Sequence, residues 1–164
     1  MKTFRKSKSS NTLKKEYLLQ KKAGKANIAP KVYDYDTVSK YIVMEKMDDH
    51  LLEVIKKQKN VLYKYQQKRI IKIFDKLDEI GIFHNDINIL NYMVKGDEIF
   101  IIDFGFAKEI TPRLISQLHT SHPNRKMMLL GFILKLKDLK VHDKSYSELI
   151  KYLSDNDIQK YHLK

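Results

Sequence analysis

Residues 84–91 read His84-Asn85-Asp86-Ile87-Asn88-Ile89-Leu90-Asn91, and Asp103-Phe104-Gly105 follows after eleven intervening residues. Between them Tyr92-Met93-Val94 and Ile99-Phe100-Ile101-Ile102 are short β-prone runs separated by Lys95-Gly96-Asp97-Glu98, whose Gly96-Asp97 marks a turn. The pattern predicts a hairpin whose first strand leaves Asn91 and whose second delivers Asp103. A hairpin of that length brings the chain back to where it began, so the two polar residues should lie near one another. Two converging oxygen ligands suit Mg²⁺, a hard cation that keeps several waters and takes few protein ligands.

Working outward, Leu62 to Ile80 carries Leu62, Tyr65, Arg69, Ile73, Leu77 and Ile80 at helical steps, with Ile70, Ile71 and Phe74 widening the stripe. Asn60 is expected to cap this helix and Gly81 to end it. Further back, Lys31 to Tyr35 and Lys40 to Glu45 read as a strand pair around the turn Asp36-Thr37-Val38-Ser39. Lys46 to Asp49 is a polar connection to a short helix, Leu51 to Lys57. Thr12 to Lys22 reads as a helix carrying Glu16, broken by Gly24 to Pro30. Past Lys108, helices are expected at Met127–Leu139 and Tyr146–Leu153, with a short amphipathic end at Ile158–Leu163.

The His-x-Asp-x-x-x-x-Asn loop with its following Asp-Phe-Gly resembles the phosphoryl-transfer site of the protein-kinase-like superfamily. The likeness runs from about Thr12 to Lys108. It is strongest to compact atypical members, the RIO-like family and the small kinase of the KEOPS complex. It rests also on Asn27-Ile28-Ala29-Pro30-Lys31-Val32-Tyr33 and Ile42-Val43-Met44-Glu45. The resemblance implies an α+β, protein-kinase-like fold with a mainly α-helical large lobe and a truncated small lobe, and ATP and Mg²⁺ as cofactors. It makes Asp86 the catalytic base and Asn91 and Asp103 the metal ligands. Glu45, Lys46 and Met47 become the hinge that meets the adenine, and Glu16 the ion-pairing Glu of the helix. Asn88 stands where a Lys usually binds the γ-phosphate. The implied division is a basic flexible tail over 1–11, a small-lobe remnant over 12–45 and the large lobe over 46–164.

The departures bear on function. Asn85 replaces the Arg that usually precedes the catalytic Asp, so control by activation-loop phosphorylation is not expected. No Ala-Pro-Glu triplet follows Asp103-Phe104-Gly105, and Lys126 stands where many kinases place a buried Asp. Only five glycines occur, none where a phosphate-covering loop belongs, and no Val-Ala-Ile-Lys strand precedes the Glu16 helix. Lys2, Lys6 and Lys8 lie in a polar segment, Met1 to Asn11, that reads as disordered, so none is expected to replace the missing Lys. Two functions stay open: a serine/threonine protein kinase acting on a protein hydroxyl, and a pseudokinase that binds, mimics or inhibits another kinase. A small-molecule kinase would need substrate-holding helices for which 164 residues leave little room.

The formal charge is +12, and residues 1–25 hold nine Lys or Arg against one Glu. Such a stretch fits an acidic protein partner or a solvated arm. Lysines outnumber arginines 28 to 4, which disfavours nucleic acid, because Arg is the better fork for phosphates and bases. Absence of Cys excludes disulfides and thiolate metal sites. No apolar run approaches transmembrane length and no signal-peptide core is present, so a cytoplasmic protein with no membrane contact is expected. Abundant Lys, Ile, Asn and Tyr resemble translation from an A+T-rich genome, such as that of a large DNA virus.

Overall fold

A computed structural model of the chain describes residues 1–163. Its first element is a two-residue strand, β1 (Lys2–Thr3), paired antiparallel with β3 (Tyr41–Met44); β3 pairs in turn with β2 (Val32–Asp36), in the order β1-β3-β2. Lys2 lies opposite Ile42, and Phe4 N–H donates to Lys40 O at 2.9 Å. Residues 1–11 are therefore not the flexible tail their polarity suggests. A strand of two residues is too short to carry any alternation, so no periodicity announces it.

Helix α1 (Ser10–Lys25) lies over this sheet, its start capped by Ser9, whose Oγ accepts from Thr12 N–H at 3.1 Å. Leu13, Tyr17 and Ile42 form a small core beneath it, with Tyr17 stacked on Tyr35 at 4.1 Å. Gly24 does not break the helix. A Cβ there would sit 3.2 Å from Pro30 O, so the glycine lets the chain fold back against α1. The opposite face of α1, through Leu19 and Ala23, joins the main core with Ile28 and Ala29.

That main core is organised by α3 (Lys64–Glu79), whose Ile70, Ile73, Phe74 and Leu77 are fully buried. Each such burial stabilises by about 1.5–3 kcal/mol. The cap is not Asn60. Gln66 Oε1 accepts from Tyr63 N–H at 2.9 Å, while Asn60 adopts φ 60° and accepts from His142 N–H through its carbonyl. Gly81, at φ 75°, ends the helix as expected. The chain then runs through β5 (Ile82–Phe83) into the loop bearing Asp86.

The expected hairpin is present as β6 (Tyr92–Lys95) and β7 (Glu98–Ile101), with Tyr92 opposite Ile101 and Gly96 at φ 58° in the turn. Strand β4 (Asp49–His50) adds to β6 and leads into α2 (Leu51–Lys57), while β8 (Lys108–Glu109) pairs with β5. Beyond it come α4 (Pro112–Leu118), a π-helical turn at Asn124–Met128 that continues into α5 (Leu129–Asp138), and α6 (Asp155–Lys160). Tyr92 is wedged between Phe74 and Phe132, with ring centroids 6.3 and 4.9 Å away. The helix expected at Tyr146–Leu153 is instead two 3₁₀ turns, Asp143–Tyr146 and Leu149–Tyr152. Glu148 N–H is drawn to Gln67 Oε1 at 2.8 Å, which takes a donor a helix would need. The fold is α+β, and no helix among the described residues is long and apolar enough to cross a membrane.

Candidate active site

His84 anchors the loop. It is fully buried, and its Nε2–H donates to Ile102 O at 3.0 Å, tying the loop to the strand that delivers Asp103. Burial pushes its pKa down, so the ring is neutral and packs edge-on against Phe104 at 5.0 Å. Asn85 takes φ 61° and Asp103 φ 65°, left-handed conformations that turn the chain sharply on both sides of the site. Asp86 Oδ1 accepts from Asn88 N–H at 3.1 Å and its Oδ2 from Asn91 Nδ2 at 2.8 Å. Asn91 is buried, and its backbone carbonyl accepts from Ile102 N–H at 2.8 Å, one residue before Asp103. The hairpin thus returns the chain from Asn91 to the residue before Asp103, as the spacing predicts, while Asp86 is tied to Asn91 by its own hydrogen bond.

The electrostatics hold a residue that the sequence reading names and sets aside. Lys2 Nζ lies 2.6 Å from Glu16 Oε1 and 2.8 Å from Asp103 Oδ1, bridging the α1 carboxylate to the carboxylate after β7. Lys8 binds the other Glu16 oxygen, and the two ammonium groups flank the Phe4 ring. Glu16, with a side chain 1% exposed, is buried between two cations. Burial alone would lower the Lys2 pKa, but hydrogen bonds to Asp103 and Glu16 outweigh it and the net direction is up. For Asp103, burial acts upward and Lys2 downward, and Lys2 prevails, holding the carboxyl below its ordinary range. The expectation that no lysine of residues 1–11 takes a fixed place is corrected: β1 places Lys2 on the sheet edge, facing Glu16.

A second polar group was read two residues out of place. Lys126 is exposed, whereas Asn124 is fully buried at the start of the π-turn. Its Oδ1 accepts from His84 N–H at 3.0 Å, and its Nδ2 donates to Asp78 Oδ1 and Ile82 O, each at 2.7 Å. Burial raises the Asp78 pKa in spite of three hydrogen bonds from Asn124 and Arg125. Asn124 therefore ties α3, β5 and the Asp86 loop together. Asn124→Ala leaves His84 N–H and Ile82 O unpaired at about 1 kcal/mol or more each, while Asp78 Oδ1 keeps the residue 124 backbone N–H, so a loss of about 2 kcal/mol is expected. Calorimetry should show melting about 4–8 °C lower; a drop under 2 °C would mean the network is not structural.

Of the remaining expected residues, Asn88 joins the cluster through its N–H on Asp86 Oδ1, whereas Glu45 to Met47 lie apart from its hydrogen bonds. Glu45 turns to Lys95 Nζ at 2.6 Å and receives Lys31 N–H at 3.3 Å; Lys46 is exposed and Met47 buried. Glu45 N–H donates to Lys31 O and Asp48 N–H to Val94 O, fixing both ends of this connection. Asn88 Oδ1 caps a 3₁₀ turn by accepting from Leu90 N–H at 3.0 Å. The donor set fits Mg²⁺ in kind. With Nδ2 directed at Asp86, Asn91 keeps its amide oxygen available, and Asp103 is ionised.

Residues 7–122 match the ABC1 atypical kinase-like domain. The chain belongs to the ABC1 atypical kinase-like family. Membership meets the expectation of an atypical member of the protein-kinase-like superfamily, and names the group. Among relatives of this ABC1-family chain, a candidate serine/threonine-protein kinase of Acanthamoeba polyphaga mimivirus is 35% identical over 78 residues, covering 45% of this chain and 12% of the relative. A second candidate serine/threonine-protein kinase, from Invertebrate iridescent virus 3, is 46% identical over 55 residues, 29% of this chain and 16% of the relative. The dual specificity protein kinase Ttk of Danio rerio is 29% identical over 96 residues, 56% of this chain and 10% of the relative. The chain spans less than a third of the length of the curated relatives it matches. Lys2 precedes the matched residues, so its place in the ABC1-type site comes from the structure.

Proposed function

We propose that this ABC1-family domain is a Mg·ATP-dependent serine/threonine protein kinase acting on a cytoplasmic, acidic protein. The observation that carries the reading is the Lys2–Glu16–Asp103 bridge beside the Asp86–Asn91 pair. Burying Glu16 between Lys2 and Lys8 carries a desolvation cost that a solvated cluster avoids, which supports a working role for the bridge. Bound Mg·ATP would supply the transferable phosphoryl group and the charge that screens it. Asp86 accepts the proton of the acceptor hydroxyl as that oxygen bonds to the γ-phosphorus and the bond to the β,γ-bridging oxygen breaks. Asn91 orients Asp86, and with Asp103 would hold the metal. Lys2, held by Glu16, would supply positive charge to the phosphates. Glu45 to Met47 offer backbone groups to the adenine, and Asn88 flanks the γ-phosphate. On this reading β1, ahead of residue 12, belongs with the small lobe of residues 12–45, and the large lobe runs from residue 46.

The test is transfer of label from γ-labelled ATP to protein, with Mg²⁺, by the purified chain and by Asp103→Ala. Transfer by the wild type and its loss in the variant are expected. Label that stays on ATP, with no Mg·ATP-dependent rise in melting temperature, would leave a binding module in place of an enzyme.

A further inference from the structure

Beside Asp86 lies a cavity of about 530 Å³ whose apolar walls are Ile87 of the loop and Met127, Leu130 and Leu134 of the following helix. Its walls are braced against each other: a Cβ on Gly131 would lie 2.6 Å from Ile87 Cγ2, so loop and helix are already in contact there. Ile87 is 40% and Met127 42% exposed, an unusual outlay of apolar surface next to a carboxylate. Lys126 stands at the rim and makes no ion pair among the described residues. Asp157, also at the rim, is held by Ser154 Oγ at 2.7 Å.

We infer that this trough is the acceptor subsite, and that it takes a peptide carrying a large apolar residue within two positions of the reacting Ser or Thr. This rests on the kinase reading above. An acceptor hydroxyl must come within hydrogen-bond reach of Asp86, so the atoms flanking it must lie along the cavity that opens from that carboxylate. A peptide meets both requirements at once: its main chain carries the hydroxyl to Asp86 while a neighbouring Leu-sized side chain fills the apolar trough. The unpaired Lys126 and the chain's formal charge of +12 add a preference for an acidic residue farther along.

Two fluorescent acidic Ser peptides, alike except for Leu or Asn next to the Ser, test this by anisotropy with Mg²⁺ and a non-hydrolysable ATP analogue. The Leu peptide should bind about tenfold more tightly. In Met127→Glu, a half-exposed site whose folding is checked by melting, the advantage should fall below about threefold. Equal binding, no binding, or an advantage that survives Met127→Glu overturns the subsite. Parallel assays with labelled ATP separate the two readings. Selective binding with no transfer supports the trough and sinks the kinase, whereas transfer without selectivity sinks the trough alone.

Discussion

Asp86→Asn is expected to slow phosphate transfer by about 10²–10⁴-fold, the usual worth of a positioned general base. The substitution keeps the size and one of the two oxygens, and removes the carboxylate that takes the acceptor's proton. The wild-type second oxygen accepts from Asn91 Nδ2 at 2.8 Å, and the variant's single amide oxygen keeps either that contact or the Asn88 one, not both. Initial rates of label transfer, compared with the midpoint of Mg·ATP binding by thermal shift, separate chemistry from binding. Transfer within threefold of wild type would remove Asp86 from the role of base.

Lys2→Met should cost about 10²–10³-fold in turnover, on the scale of losing one preorganised charge donor. It should also raise the Asp103 pKa, because burial remains while the cation that lowers it is gone. The sign follows. The folded Asp103 pKa lies below the ordinary carboxylate value, so its contribution to stability is present above that value and is lost as pH falls through the folded pKa. In Lys2→Met this acid-side loss should move to higher pH or disappear, which carboxyl carbon NMR and melting against pH can follow. Lys8→Met should change turnover far less, since Lys2 remains on Glu16 and Asp103. Equal losses in the two variants would show that the pair acts as one structural clamp.

What could be read beforehand follows the length and regularity of each signal. The amphipathic stripe of α3 and the hairpin between Asn91 and Asp103 are long enough to show their periods, and both lie where expected. The closeness of Asn91 to the end of β7 follows, because chain geometry leaves a short hairpin no other way to close. Lys2 was illegible for the opposite reason, since β1 pairs by only two residues to a strand some forty residues away. Asn124, buried at the start of the π-turn, lies two residues before the position that the resemblance marks. The 3₁₀ turns after Val141 depend on a partner distant in sequence, Gln67, whereas the cap at Tyr63 is local, its N–H donating to Gln66 Oε1 three residues on.

The Lys2–Asp103 bridge also orders events in time. Its ends are 101 residues apart in the chain, whereas Lys2 and Glu16 are separated by only 14. At roughly 5–20 residues per second on the ribosome, Lys2 and Glu16 are made seconds before Asp103. Strand β1 pairs with Tyr41–Met44, so Lys2 can be placed only once that strand exists, and Asp103, after β7, is the last of the three to arrive.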